Sequence, residues 1–600
     1  MRPTWLAAAL ASSCIAATAV ADQHVRTLTP LGATSMSAAS NLAAADGPFA
    51  PASEIKQDPN AVLPRNPFTP GTPGLTNPVA GGNPVAGNGV TRSNPGFFGF
   101  NGLDHVDQRT ANGGKQFSLE PPDQALCAGN GFVVEGVNDV LRVYDTRGRA
   151  KTAVQDFNTF FHLPAEIDRA AGVYGPFLSD PKCYYDLETR RWFITILEIE
   201  TDPKTGAFGT HASTLLAVSD DDEPTGSWFT YSIDMTDDGT NGTPKHASCP
   251  CFGDQPLIGA DANGFYITTN EFAITGPGFN GAQVFALSKR ALVEGGLPKV
   301  VHIDNLTLAE GQAYSIQPAT SPRGQFDRRN HGTEYFLSAL DFSGTLDNRV
   351  AVWSMTNTRS LGHPSPDVKL SYALITTETY GQPPNADQKP GPTPLRDCLA
   401  TDCLHSGTTS VETLEQIATN DDRMNQVVYA RGQLWSGVNT IVTVGNQTRA
   451  GIAYFVVDPD WTARGLQASV DAQGYLAVAN ANIMYPSIGV NTRGEGVMTF
   501  SLTGPDFFPS AAYAVLEQHE DEAPAVHIAG VGLGPEDGLS GYVAYGGAGV
   551  ARWGDYSAAV ADGDAIWMSS EYIPASCTSL TCSGRTTLGN WGTFISRVVP

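Results

Sequence analysis

Positive charge is scarce in this sequence: 36 Lys and Arg stand against 61 Asp and Glu, a formal charge of -25 over 600 residues. A chain this acidic is repelled by phosphate backbones and anionic headgroups, so nucleic acid and anionic membranes are excluded as partners. Long apolar runs are missing as well. The run from Trp5 to Ala17 is too short to span a bilayer, and none of comparable length follows. No stretch sustains helical periodicity, which disfavours coiled coils and bundles. Several chemical signatures are absent too: no G-x-S-x-G elbow, no G-x-x-x-x-G-K-[ST] phosphate loop and no H-E-x-x-H helix. The 11 His are scattered from His24 to His527 without i,i+4 pairing, and Gly530 to Pro535 is Gly-rich but ends in Pro, against a dinucleotide loop.

The N-terminus carries a basic start, a short apolar core and Ala19-Val-Ala21, which together read as a secretory signal over residues 1–21, cleaved after Ala21. Cys14 sits inside the apolar core, where a lipoprotein cysteine does not belong. The mature chain is expected to be a secreted, soluble monomer, extracellular or periplasmic, with no membrane span. Eight of the nine Cys follow the signal, an even number suited to an oxidising compartment. Cys398 with Cys403 and Cys577 with Cys582 are spaced for two small loop-closing disulfides; Cys127, Cys183, Cys249 and Cys251 are further candidates whose pairing the spacing leaves open. A zinc site at Cys249-Pro-Cys251 would need His or Cys partners at metal-ligand spacing, whereas export favours disulfides.

Residues 22–96 are dominated by Ala, Pro, Gly, Asn and Thr, too little apolar surface to offset the entropy of ordering, and read as a flexible, disordered leader. Beyond it, from residue 97 to 600, one phrase recurs: Asp, a few apolar residues, a Gly-containing turn, an aromatic-rich strand, then Glu or Asn. The clearest copies run from Asp180 to Glu198, Asp254 to Glu271 and Asp555 to Glu571, with a fourth from Asp123 to Asn138. Each reads as a β-hairpin, and Asp123, Asp180, Asp254, Pro318, Asn425, Pro486 and Asp555 anchor the successive units. With 63 Gly and 41 Pro for turns, the fold class is all-β: a single seven-bladed β-propeller of four-stranded antiparallel blades, with a surface insertion near 360–420 clipped by Cys398 and Cys403. The final strand at Gly592 needs a partner, which Phe97 to Leu103 or the residues just before Leu119 can supply.

The residues Phe100-Asn-Gly-Leu103, Pro121-Pro-Asp123, Val143-Tyr-Asp-Thr-Arg-Gly148, Phe252-Gly-Asp254, Arg552-Trp-Gly-Asp-Tyr556 and Asn590-Trp-Gly-Thr593 carry a resemblance. From about residue 98 onward the chain resembles a family of large secreted bacterial β-propeller proteins of mostly unknown function, distantly similar to sialidase-type propellers. The resemblance implies a fold more than a reaction: no S-x-D-x-G-x-T-W box and no assignable arginine triad is present.

In a hairpin the start of one strand and the end of the next share an edge, so Asp180 is expected near Glu198, Asp254 near Glu271, Asp555 near Glu571 and Asp123 near Asn138. If the first strands are innermost, these eight residues gather at the mouth of a central channel as ligand-binding groups. Oxygen donors there suit a hard cation such as Ca²⁺, with Asp254 and Asp555 as metal ligands, or the hydroxyls of a sugar. Structural roles compete with this, because an Asp before a strand commonly accepts backbone N–H bonds. Trp192, Phe265 and Trp567 read as packing rather than a sugar platform. The expected function is an exported binding module that offers a loop-rich face and an acidic channel mouth to a carbohydrate or extracellular protein. The alternative is a glycoside hydrolase or lyase using an Asp/Glu pair.

Overall fold

The computed structural model describes residues 17–18, 20–36, 90–92, 96–309, 311–340, 346–404, 407, 409–516, 524–582, 585 and 588–600. The rest of the expected signal and of the leader, including residues 37–89, lies outside the described residues. The fold is all-β, built from six larger sheets and two two-stranded ribbons among the described residues.

In chain order the first sheet has four strands, Gln124–Gly129, Phe132–Val137, Val140–Asp145 and Gln155–Asp156. The second joins Phe177–Asp186, Arg191–Thr201, Phe208–Ser219 and Ser227–Asp234, and takes Thr29–Ser35 onto its edge. The third, Cys251–Ala260, Gly264–Ala273, Phe279–Ser288 and Lys299–Leu308, is edged by Val20–Thr27 and by Gly311–Gln312. The fourth has nine strands, because Gln317–Thr320 pairs in parallel with Val427–Ala430 through Ala319 with Val427 and Thr320 with Val428. The fifth holds Asn482–Val490, Gly496–Gly504, Phe507–Leu516, Val526–Gly530 and Val90–Arg92. The sixth holds Ala558–Asp562, Ala565–Tyr572 and Gly592–Val598, with Phe98–Asp104 antiparallel to the last.

Seven equal, separate four-stranded blades therefore do not form, and the propeller expected from the repeat is corrected to a set of sheets of four, five, six, nine, five and four strands. Two physical causes account for the difference. The parallel pairing at Ala319 and Thr320 satisfies backbone groups that would otherwise end the fourth and fifth units, and so fuses them. Residues 20–36 are not a disordered leader: Val25 pairs with Val301 and Ala33 with Phe229, covering edges that would otherwise stay open.

The sheets pack through faces that are apolar on both sides, which is why strands such as Gly264–Ala273 are buried at every position. Phe193 of the second sheet stacks on Phe265 of the third at 4.7 Å between ring centroids. Trp192 and Trp567 are buried, as expected of packing residues. Two of the buried indoles have a polar partner: Trp192 Nε1 donates to the Asp222 carbonyl at 3.0 Å and Trp553 Nε1 to Ser501 Oγ at 3.0 Å. The disulfides are Cys127–Cys183, Cys249–Cys251, Cys398–Cys403 and Cys577–Cys582. Four disulfides are consistent with a protein that works outside the cytoplasm. No helix among the described residues is long and apolar enough to cross a membrane.

Candidate functional site

A recurrent local device brings acidic side chains together. Three opening strands combine an X-Pro step with a register shift: Asp180-Pro181, Gln255-Pro256 and Tyr485-Pro486. Proline cannot donate to the ladder, and each strand shifts register there, between Ser179 and Lys182, Asp254 and Leu257, and Met484 and Ser487. The residue before each proline takes a left-handed backbone, with φ of 59° at Asp180, 49° at Gln255 and 58° at Tyr485. Side chains costly to hold in that region are placed there by the surrounding sheets.

The first consequence is a triad. One carboxylate oxygen from each of Asp123, Asp180 and Asp555 lies within 4.8 Å of the other two. Asp123 Oδ1 accepts from the Asp555 backbone N–H at 2.6 Å. Asp180 Oδ2 accepts from the Gln255 backbone N–H at 3.2 Å and Asp180 Oδ1 from Ser179 Oγ at 3.1 Å. Asn420 Nδ2 donates to Asp555 Oδ1 at 2.6 Å. Burial, then Asp555 and Asp180, push the Asp123 carboxyl well above the usual range. Lys182 is half-buried with its ammonium over the Tyr556 ring. Burial lowers its pKa to about 7, against the pull of Asp123, Asp180 and Asp555. Lys182, Gln124 and Ser557, neighbours of the triad, also line a cavity of about 80 Å³ bordered by the first strands of five sheets and by Gln317, Thr320, Gln426 and Val428 at the fourth.

A band of glutamates continues from the triad. Glu120, Glu415, Glu536 and Glu571 are buried. Glu120 Oε1, both oxygens of Glu415, Glu536 Oε2 and Glu571 Oε2 have no hydrogen-bond partner among the described residues. Two glycines make room for them, since a Cβ at Gly538 would stand 1.7 Å from Glu120 Oε1 and one at Gly541 1.7 Å from Glu415 Oε2. Burial raises Glu120 to about 7 and the other three well above the carboxylate range, and their mutual repulsion adds to it.

A separate cluster lies in the third sheet. His246 Nδ1 is 2.9 Å from Glu271 Oε2 and its Nε2 is 3.0 Å from Asp304 Oδ2. Asp237 Oδ2 stands 3.7 Å from His246 Nδ1, and His24 Nε2 3.2 Å from Asp304. Burial opposes the imidazolium, yet Asp304 and Glu271 carry its pKa up to about 10. Burial and the adjacent Glu271 raise Asp237 to about 9. Asp237, His246 and Glu271 are close enough to share a metal ion, but both ring nitrogens are already committed to carboxylates, so the cluster reads as an ion-paired imidazolium.

Of the eight residues expected at one opening, the structure thus groups Asp123, Asp180 and Asp555, with Asn138 Oδ1 accepting from the Asp123 backbone N–H at 3.2 Å. Asp254 is outside this triad: the bulge puts Gln255 against Asp180 and pairs Asp254 with Asn270. Glu198 stands opposite Leu178 and is held by Ser213 and His211; burial raises it to about 7. Glu271 serves His246, and Glu571 joins the glutamate band. Asp123, Asp180, Asp254, Glu271 and Glu571 are all buried. An acidic channel mouth that offers these groups to a carbohydrate or protein, or an open glycosidase pair, is therefore corrected to an enclosed acidic interior. Lys182, His246, Asp237, Glu120, Glu415 and Glu536 carry no sequence signature of the kinds considered; only Lys182 has a pointer, two residues after Asp180.

No protein-family model matches the chain, and no curated protein matches it. Among solved structures, a protein of unknown function from Dyadobacter fermentans is 9% identical over 71% of this chain and 95% of its own, with a TM-score of 0.32. A Hadza microbial sialidase is 9% identical over 78% of this chain and 73% of its own, at 0.33. A β-1,3-galactosidase of glycoside hydrolase family 43 is 11% identical over 64% of this chain and 98% of its own, at 0.26. Because the sheets are of unequal size, the expected resemblance to a family of large secreted bacterial β-propeller proteins is corrected to an all-β fold of several distinct sheets.

Proposed function

We propose that this chain is an exported, divalent-cation-dependent β-protein whose cation centre is the Asp123–Asp180–Asp555 triad. The carrying observation is the approach of three carboxylate oxygens from three different sheet-opening segments to within 4.8 Å. The donors fit a hard ion: they are oxygens only, as Ca²⁺ prefers. Three carboxylates exceed the neighbouring Lys182 and Arg552 in charge, and the adjoining glutamates supply further oxygens without partners. A cation there ties residues 123, 180 and 555 together, so it acts as a clamp between the first, second and sixth sheets. The working compartment is extracellular or periplasmic, where disulfides persist, and the chain acts as a monomer.

The test is thermal unfolding of the full chain with Ca²⁺, Mg²⁺ or Mn²⁺ against chelator. An ion bound only by the folded state adds about 2.7 kcal/mol of stability at a hundredfold excess over Kd, and Tm rises with its concentration. Asp180→Asn is expected to abolish the shift. The reading fails if chelation leaves Tm unchanged, or if Asp180→Asn responds like the parent. Lys182→Met separates a second possibility, that the ammonium itself is the triad's counter-ion: cation binding should then tighten in the variant.

A further inference from the structure

Three of the four disulfides join separate strands or close surface loops, whereas Cys249–Cys251 spans a single residue. Cross-linking stabilises chiefly by removing freedom from the unfolded chain, and a bridge over one residue removes very little. Fold stability therefore does not account for it. Its surroundings differ as well. Cys249 is half-buried and follows the exposed Ala247 and Ser248, while Cys251 is buried at the start of its strand. Glu271 Oε1 is 3.9 Å from Cys249 Sγ, and Asn280 Nδ2 is 3.6 Å from the sulfur of each cysteine. Strand register explains the contact. Cys251 pairs with Ala273 and Gly253 with Glu271, so Glu271 projects on the same face as the sulfurs, across from a residue without a side chain. Behind Glu271 stand His246 and Asp304, the ion-paired imidazolium described above.

We propose that Cys249–Cys251 is a thiol–disulfide exchange centre that oxidises a dithiol substrate. A substrate thiolate attacks the accessible Cys249 Sγ, forming a mixed disulfide and breaking the Cys249–Cys251 bond. The electron pair leaves on Cys251 Sγ, where the Asn280 N–H faces the developing charge, and a proton passes to it from the His246 imidazolium through Glu271, a carboxylate oxygen of which lies within 4.8 Å of both sulfurs. The substrate's second thiolate then attacks its own sulfur in the mixed disulfide, closing the substrate disulfide and expelling Cys249 as a thiolate. Two electrons pass from the substrate dithiol to the protein disulfide, which ends as two thiols. The difference in burial fixes the direction of attack: Cys249 is the catalytic residue that touches substrate, Cys251 the leaving group, and Glu271 and Asn280 are positioning residues.

The full oxidised chain is equilibrated with graded ratios of reduced to oxidised glutathione, trapped by alkylation, and each disulfide is quantified by peptide mass spectrometry. Cys249–Cys251 is expected to open at a ratio at least about tenfold lower than any of the other three, a gap of roughly 30 mV. Its rate of exchange with dithiothreitol is expected to fall about tenfold in Glu271→Gln, with a shifted pH profile. Asn280→Ala, a smaller change at the edge of the site, provides the same readout if Glu271→Gln does not fold. Simultaneous opening of all four bridges overturns the proposal. So does an exchange rate and pH profile unchanged in a folded variant.

Discussion

Glu135 offers a direct measurement of how this fold handles buried acid. Its carboxyl is fully buried where the first and sixth sheets meet. Oε2 accepts from the Leu103 backbone N–H at 2.9 Å and from Tyr144 Oη at 2.9 Å, while Oε1 touches Thr593 Oγ1. The Thr593 hydroxyl has one proton, and it is within 2.9 Å of the Leu103 carbonyl. All these contacts are satisfied together when Glu135 is protonated and Oε1–H donates to Thr593. Burial raises the carboxyl to about 7, against the bonds from Tyr144 and Leu103, which favour the charged form. Its ordinary value is 4.5. The folded state thus keeps a proton that the unfolded chain releases between pH 4.5 and about 7, and stability falls as pH rises through that window. At about 1.4 kcal/mol per pKa unit the loss is ~3 kcal/mol. Glu135→Gln is neutral at every pH: its amide nitrogen donates to Thr593 and its oxygen accepts from Leu103 and Tyr144. Denaturant unfolding at pH 5 and pH 8 should show variant and parent about equal at the lower pH and the variant more stable at the higher, by up to ~3 kcal/mol. Glu120 and Glu198 titrate in the same range in both proteins, so they cancel in the difference. A difference between the two proteins that does not change with pH would refute the protonated-carboxyl reading.

The local parts of this structure were legible in the sequence and the long-range parts were not. The hairpins from Asp123, Asp180, Asp254 and Asp555 form because alternation and Gly-containing turns are local signals. Cys398–Cys403 and Cys577–Cys582 follow from spacing, and the contact of Asp123 with Asn138 follows from hairpin geometry. Phe98–Asp104 pairs with Gly592–Val598, one of the two partners the sequence offered. The site departs from the repeat for a one-residue reason. Spacing aligns Asp254 with Asp180, but the bulge at each X-Pro step shifts the register, and a shift of one turns a side chain to the other face. Gln255 therefore occupies the place that spacing assigned to Asp254. The fusion through Ala319 and Val427 is a backbone pairing between distant residues and leaves no mark on side-chain pattern. Burial of the acids is set by segments around Glu120, Glu415 and Glu536, whose approach depends on the assembled sheets.

Two further predictions address what joins the sheets. Cys127–Cys183 links the opening strands of the first and second sheets across a separation of 56 residues. Replacing both with Ala should cost about 2–5 kcal/mol in denaturant unfolding; a cost below 1 kcal/mol would mean that the apolar packing of Leu178, Trp192 and Val134 at that junction suffices without it. The second concerns residues 22–36. Their strands cover the outer edges of Ser227–Asp234 and Lys299–Leu308, and Leu28 and Met36 are buried beneath the pairing. An uncovered edge presents a row of unpaired N–H and C=O groups to any other chain. Deleting residues 22–36 is therefore expected to lower Tm and to make light scattering rise with protein concentration. A disordered leader would instead be removable without either effect, because a segment that pairs with nothing contributes no stability when it is lost.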